Sequence, residues 1–219
     1  MRIGVISDVH GNLVALEAVL ADMPEVDALV CGGDVVGYNP WHADSVEAVR
    51  SREIPTVSGN HDRAVAEGSG FAFNRLASAG VEQAREQLTD EQLGWLAELP
   101  TERWCFDDRL RVVHGHPDDP DRYTYAEDFE ASMLDGADAL VLGHTHVQAH
   151  RHVDGGVVLN PGSVGQPRDG DPRAAYAVLD LEGPTVEEYR VEYEIGRVLE
   201  AVEEAGLPER IGTRLYDGR

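Results

Sequence analysis

Met1-Arg-Ile-Gly-Val-Ile-Ser-Asp-Val-His-Gly-Asn12 opens the chain, and its reading decides the fold. Ile3, Val5 and Ile6 form a short β-branched apolar run with no polar face, as a strand covered on both sides does. The run stops at Ser7-Asp8, and Asp8 and His10 follow in a glycine-containing turn. Residues two apart on an extended chain share a face, so this carboxylate and imidazole can converge on one object. An oxygen donor beside a nitrogen donor at a strand's carboxyl end suits a divalent first-row metal. The pair alone also fits a turn that hydrogen-bonds its own backbone. Recurrence separates the two readings, and the sequence of strand and then polar cluster recurs four more times.

Leu13, Leu16, Leu20 and Met23 repeat at helical spacing, and Pro24 ends that helix. Asp27–Cys31 reads as a second buried strand, followed by Gly32-Gly33-Asp34-Val-Val-Gly37-Tyr38-Asn39-Pro40. Asp34 takes the place after the strand that Asp8 holds in the first unit. Pro40–Arg50 reads as a helix, Glu53–Val57 as a third strand, and Ser58-Gly59-Asn60-His61-Asp62 as a loop. Three strand–loop–helix units in series imply parallel neighbours, with their carboxyl-end loops on one edge of the sheet. Arg63–Leu99 reads as helical cover, with a capping box at Thr89–Gln92. Arg103–Phe106 and Arg109–Val113 form a hairpin that ends in His114-Gly115-His116-Pro117. A helix near Ala126–Leu134 leads to the strand Asp138–Leu142 and then Gly143-His144-Thr145-His146. Strands near Val147–Val153, Gly156–Leu159, Ala174–Leu181 and Thr185–Tyr193 read as an antiparallel run, interrupted by the glycine-rich loop Asn160–Gly165. An amphipathic helix covers Ile195–Ala205, and the residues after it are expected to fray. The whole of 1–219 reads as one domain.

Composition excludes some partners. Acidic residues number 41 against 18 basic, a formal charge of −23, and all the basic residues are arginine. Such a chain is repelled by nucleic-acid backbones and anionic membranes, and no basic stripe offsets this. Dispersed carboxylate without lysine resembles the surface of a protein adapted to a salt-loaded cytoplasm, where salt screens self-repulsion; an ordinary acidic protein from a GC-rich genome is the other reading. Cys31 and Cys105 read as buried, reduced thiols. With no signal peptide and no apolar run of membrane length, a cytoplasmic location is expected.

Five loops thus bring together Asp8, His10, Asp34, Asn60, His61, His114, His144 and His146, and five of the nine histidines stand at predicted strand ends. Structural histidines have no reason to choose those positions. Nitrogen and oxygen donors in this number, with no thiolate, exceed what one zinc needs and match two metals sharing a carboxylate. Two such ions, roughly 3.5–4 Å apart, clamp an in-line displacement at phosphorus. A neutral Asn donor limits the negative charge facing an anionic substrate. His42, His150 and His152 read as surface residues, and His116 is given no role. Arg168 and Arg173 could reach a phosphate, although surface salt bridges among so many carboxylates fit them better.

Taken together, Asp8-Val-His10, Gly33-Asp-Val-Val-Gly37, Gly59-Asn-His-Asp62, His114 and Gly143-His-Thr-His146 resemble the motif series of the calcineurin-like metallophosphoesterase superfamily, D-x-H, G-D-x-x-G, G-N-H-[DE], H and G-H-x-H. The likeness continues through Asn160-Pro-Gly-Ser163. It implies an α/β fold in which two β-sheets pack face to face as a sandwich flanked by helices. It also implies that Asp8, His10 and His146 hold one divalent ion, that Asn60, His114 and His144 hold a second, and that Asp34 bridges them. Mn²⁺ is the expected metal, with Fe, Co²⁺, Ni²⁺ and Zn²⁺ also accepted by such donors. His61 is expected to assist the leaving oxygen, with Asp62 orienting its ring.

The protein Ser/Thr phosphatases of that superfamily carry an Arg before G-N-H-E and another in G-D-x-V-D-R-G. Ser58 and the Val-Val-Gly-Tyr stretch stand there instead, so the chain looks more like the small prokaryotic, phosphodiesterase-like members. The implied activity is hydrolysis of a phosphodiester or phosphomonoester by metal-bound hydroxide. Alternatives are a dinucleoside-polyphosphate or nucleotide pyrophosphohydrolase, and a non-catalytic metal-binding scaffold. The implied partner is a small phosphoester, with no nucleic-acid duplex and no membrane; association with further copies of the chain stays open.

Overall fold

The structure, a computed structural model, describes residues 1–68 and 73–219. The first half holds β1 (Arg2–Ile6), α1 (Leu13–Asp22), β2 (Ala28–Cys31), α2 (His42–Arg50), α3 (Asn60–Glu67), α4 (Arg75–Gln87) and α5 (Asp90–Ala97). The second holds β3 (Glu102–Cys105), β4 (Leu110–Val113), β5 (Ala139–Val141), β6 (Ala149–Val153), β7 (Gly156–Asn160), β8 (Ala174–Asp180), β9 (Thr185–Val191), α6 (Ile195–Glu204) and α7 (Arg210–Thr213).

Two mixed sheets result, ordered β2-β1-β8-β9 and β3-β4-β5-β7-β6. β1 runs parallel to β2, and β5 runs parallel to both β4 and β7. The period-2 alternation of a strand explains why these segments are apolar throughout. Ile3, Val5, Ala139, Val141, Val157 and Leu159 point into the layer between the sheets. Ile6 faces the cluster formed with α1 and α2. Leu140, Leu142 and Val158 face the other way, onto Phe129, Met133 and Leu134. Both faces are therefore covered, and each fully buried aliphatic side chain contributes about 1.5–3 kcal/mol.

Several expectations change. Glu53–Val57 does not form a strand: Pro55 has no amide hydrogen to donate, and only one parallel bridge, Cys31 to Thr56, is made. The Gly59–Asp62 loop is instead the start of α3, because the Asp62 carboxylate accepts the Gly59 N–H and caps the helix. The helical cover divides into the body of α3, α4 and α5, and its part over 69–72 lies outside the described residues. Ala126–Leu134 is two 3₁₀ turns rather than one helix. The presumed antiparallel run is split: β6 and β7 close the second sheet, whereas β8 crosses to pair antiparallel with β1. The last residues do not fray, since Ile211 and Leu215 are fully buried against Val14, Tyr38, Val198 and Val202. Cys31 is buried as expected, while Cys105 is half-buried; both are free thiols. No helix among the described residues is long and apolar enough to cross a membrane.

His42 is not a surface residue; it is fully buried. Its Nδ1 accepts the Gly37 N–H at 3.3 Å and its Nε2–H donates to Gln83 at 3.2 Å, so it braces the loop carrying Asp34. Burial, only partly offset by the Gln83 hydrogen bond, lowers its pKa to about 4. A histidine with a folded pKa below its unfolded value binds fewer protons when folded. Stability therefore rises with pH between about 4 and 6.5 and is lost as pH falls through that window, by about 3 kcal/mol at most. Thermal unfolding of chelated wild-type and His42→Asn proteins checks this. The Tm drop between pH 7 and pH 4.5 should be visibly smaller in the variant.

Candidate metal centre

Asp8 and His10 follow β1, Asp34 follows β2, Asn60 and His61 open α3, His114 follows β4, and His144 and His146 follow β5. Ligand atoms of Asp8, His10, Asp34 and His146 lie within 4.8 Å of one another, as do those of Asp34, His114 and His144. Asp34 belongs to both groups. Its Oδ2 stands 3.6 Å from His10 Nε2 and 3.3 Å from His114 Nε2, while Oδ1 accepts the His61 N–H at 2.8 Å. Asn60 Oδ1 lies 3.3 Å from His114 Nε2, on the side of the second group. All eight residues singled out from the sequence as strand-end donors therefore meet at one end of the two sheets.

Convergence does not arise as the alternation argument supposed. Asp8, His10, Asp34, His144 and His146 have φ of 54°, 50°, 53°, 67° and 59°, and Tyr38 has 56°. These are left-handed conformations that cost a non-glycine residue on the order of 1 kcal/mol or more each. A strand face does not present the donors; tightly wound loops do. The Asp62 carboxylate holds that winding by accepting the N–H groups of Asp34, Val35 and Val36 at 2.7, 2.9 and 3.2 Å, besides that of Gly59. Asp62 is thus a pin for the Asp34 loop, not the partner of the His61 ring. Burial, and then Asp34, push its carboxyl up to about 7, against the pull of the Gly59 and Val36 amides. Gly59 is required where it stands, because a Cβ there would fall 2.0 Å from Asp34 Oδ1.

Hydrogen bonds to backbone carbonyls set the imidazole tautomers, since a carbonyl can only accept. The Nδ1–H groups of His10, His114 and His146 donate to Val36, Gly32 and Gln166 at 3.1, 2.7 and 2.6 Å. Each leaves Nε2 to face the centre. His144 is reversed: Nε2–H donates to the Asp121 carbonyl at 3.0 Å, which leaves Nδ1 as the free donor. Nε2 of His10 and Nε2 of His146 come within 3.0 Å of each other. Two bare lone pairs at that separation repel unless a proton or a metal ion lies between them.

The charge balance makes the same demand. Asp8 and Asp34 are buried yet held ionised: burial raises their carboxyls, and His146 at Asp8 and His114 at Asp34 outweigh it. The Ser7 hydroxyl and the His144 N–H also donate to Asp8. Burial opposes a charge on His114, but the Asp34 carboxylate raises its pKa to about 9. A proton on His114 thus occupies the place where a metal ion would compete with it. Buried carboxylates facing convergent nitrogens, with tautomers already fixed, fit a pair of divalent ions.

His61 lies beside these ligands. Its ring stacks on Phe73 at 4.7 Å and meets His10 edge-on, and its buried Nδ1 has no hydrogen-bond partner among the described residues. Burial lowers its pKa to about 4, so it is neutral at pH 7. A cleft of about 140 Å³ opens here, lined by Asp34, Asn60, His61, His144 and His146 and also by Tyr38, Phe73, Tyr123 and Arg168. Sequence reasoning missed Tyr38, Phe73 and Tyr123, and it named Arg168 as able to reach a phosphate while preferring a surface salt bridge for it. Tyr123 sits on the His144 ring at 4.1 Å. Among the described residues Arg168 makes no salt bridge, whereas Arg173 pairs with Asp171 as expected. His150 pairs with Glu188 at the surface, and His116 stays outside the site.

Residues 1–183 match the calcineurin-like phosphoesterase superfamily domain, and the chain belongs to that family of hydrolases. Among its relatives, the crystal structure of a metallophosphoesterase from Sphaerobacter thermophilus is 38% identical, with a TM-score of 0.88, and the match covers 100% of this chain and 99% of that one. An uncharacterized protein of Methanocaldococcus jannaschii is 33% identical over 238 residues, 99% of this chain and 98% of its own. Phosphodiesterase YfcE of Escherichia coli is 29% identical over 192 residues, 82% of this chain and 88% of its own.

Proposed function

We propose that the chain hydrolyses a small phosphomonoester or phosphodiester at a dinuclear centre held by Asp8, His10, Asp34, Asn60, His114, His144 and His146. The observation that carries this reading is the sharing of Asp34 between two buried donor groups, with His61 alongside. Two divalent ions bound there, Mn²⁺ by preference, would polarise phosphoryl oxygens and lower the pKa of a water. Asp34 holds the two halves of the site in register. His61 Nδ1 faces Gly37, where a Cβ would come within 2.3 Å, so Nε2 is the nitrogen left to meet a substrate in the cleft. As a neutral imidazole with its proton on Nε2, His61 donates a hydrogen bond that stabilises the charge growing on the leaving oxygen, and that oxygen takes its proton from water after the P–O bond breaks. Tyr38, Phe73 and Tyr123 narrow the cleft around the reacting group.

The test is hydrolysis of p-nitrophenyl phosphate and bis(p-nitrophenyl) phosphate by chelated protein, with and without added Mn²⁺, in molar KCl. Metal-dependent turnover is expected. His61→Ala should bind the same amount of metal and lose about 10²–10⁴-fold in turnover. Unchanged turnover would remove His61 from the mechanism. Cleavage of a P–O–P bond but of neither ester would turn the reading to a nucleotide pyrophosphohydrolase.

A further inference from the structure

Arg168 is held in an unusual way for a chain with 41 acidic residues. Among the described residues no carboxylate pairs with it. Its Nε–H and Nη2–H donate to Gln166 Oε1 at 3.2 and 2.8 Å, and Nη2–H also donates to the Tyr38 hydroxyl at 3.3 Å. The guanidinium lies 5.8 Å from the centre of the Tyr38 ring, and the Arg168 N–H donates to the His146 carbonyl at 3.1 Å. Every one of these partners is neutral, so the positive charge is oriented without being cancelled. The Nη1 hydrogens have no acceptor among the described residues. Arg168 lines the cleft with Asp34, His61, His144 and His146.

Tyr38 itself has a telling position. It stands four residues after Asp34 on the same tightly wound loop, with a φ of 56°. That place here holds an aromatic ring and a hydroxyl, and both are spent on an arginine from elsewhere in the chain. Gln166 is fully buried; its carbonyl accepts from His146 and its Oε1 from Arg168, so one residue positions a donor of the centre and the cation together.

We propose that Arg168, propped by Tyr38 and Gln166, grips a non-bridging phosphoryl oxygen of the substrate and favours substrates whose reacting phosphoryl group is a dianion, that is, monoesters and terminal phosphates. This rests on the phosphoesterase reading above and deepens it. A diester has two non-bridging oxygens sharing one negative charge; a monoester has three sharing two. A fixed guanidinium with unused donors therefore gains more from the monoester, and its planar fork suits two oxygens of one phosphoryl group.

The experiment compares wild type, Arg168→Lys and Arg168→Met as full chains, with melting curves to establish folding. Calorimetry with inorganic phosphate, on chelated and on Mn²⁺-loaded protein, should show affinity falling about ten- to a hundredfold in Arg168→Met, with Arg168→Lys between. In Mn²⁺-loaded protein, kcat/KM for p-nitrophenyl phosphate should fall several-fold more than for bis(p-nitrophenyl) phosphate, and added guanidinium ion should restore part of it in Arg168→Met alone. Unchanged phosphate affinity in folded Arg168→Met overturns the anion contact. Equal losses on the two esters overturn the dianion preference. A wild type that cleaves neither ester, yet binds phosphate through Arg168, defeats the phosphoesterase reading and leaves the anion contact standing.

Discussion

Asp34→Asn should leave a protein that binds at most one divalent ion tightly and turns over phosphoesters slower by two to four orders of magnitude. Among the described residues Asp34 alone is common to both donor groups, and it is 1% exposed. Losing its charge removes a ligand from each side at once, where the carboxylate is nearly closed off from bulk water. Breaking a buried charge pair by deleting one partner costs about 3–5 kcal/mol, which is the scale of the expected loss. The substitution keeps the shape and the contact with the His61 N–H, so folding should survive. Metal analysis after gel filtration, together with Mn²⁺-dependent turnover, checks both halves. Two tightly held ions in Asp34→Asn would show that the carboxylate does not bridge.

Asp62→Ala should lower the metal-free Tm by roughly 6–20 °C, a loss of about 3–5 kcal/mol in a chain of this size. The Asp62 carboxylate is the acceptor for four buried N–H groups, those of Asp34, Val35, Val36 and Gly59. Each buried donor left without an acceptor costs about 1–3 kcal/mol before relaxation. Asp62→Asn retains the shape but turns an NH₂ toward N–H groups, so an intermediate loss is expected. If Asp62 acted only by steering the His61 ring, its replacement in a His61→Ala background would leave Tm unmoved. Pinning of the loop requires the same drop in both backgrounds, and calorimetric melting decides between them.

The convergence of the eight residues was legible because each follows a short-range rule: it stands shortly after an apolar run ends. Asp8, Asp34, His114 and His144 announce themselves this way. His42 did not, since a histidine near a helix start looks the same whether it meets water or the Gly37 N–H. Arg168 was assigned to the surface because the count of carboxylates made a salt bridge the simplest expectation, and its true partners, Tyr38 and Gln166, are neutral. The left-handed backbone at Asp8 and His10 carries no glycine to mark it. The placement of β8 was hidden for another reason: β6 to β9 are consecutive short strands, and alternation within a strand says nothing about which sheet edge it joins.

One consequence of the two-sheet arrangement concerns time rather than geometry. Asp8, His10 and Asp34 come from one sheet and His114, His144 and His146 from the other, and His10 and His146 are 136 positions apart. An ion bound there acts as a rivet between the layers. Neither layer alone supplies a full donor set, so loading should change the folding rate little and chiefly slow unfolding. Metal would then set how long a folded molecule lasts more than how quickly it forms.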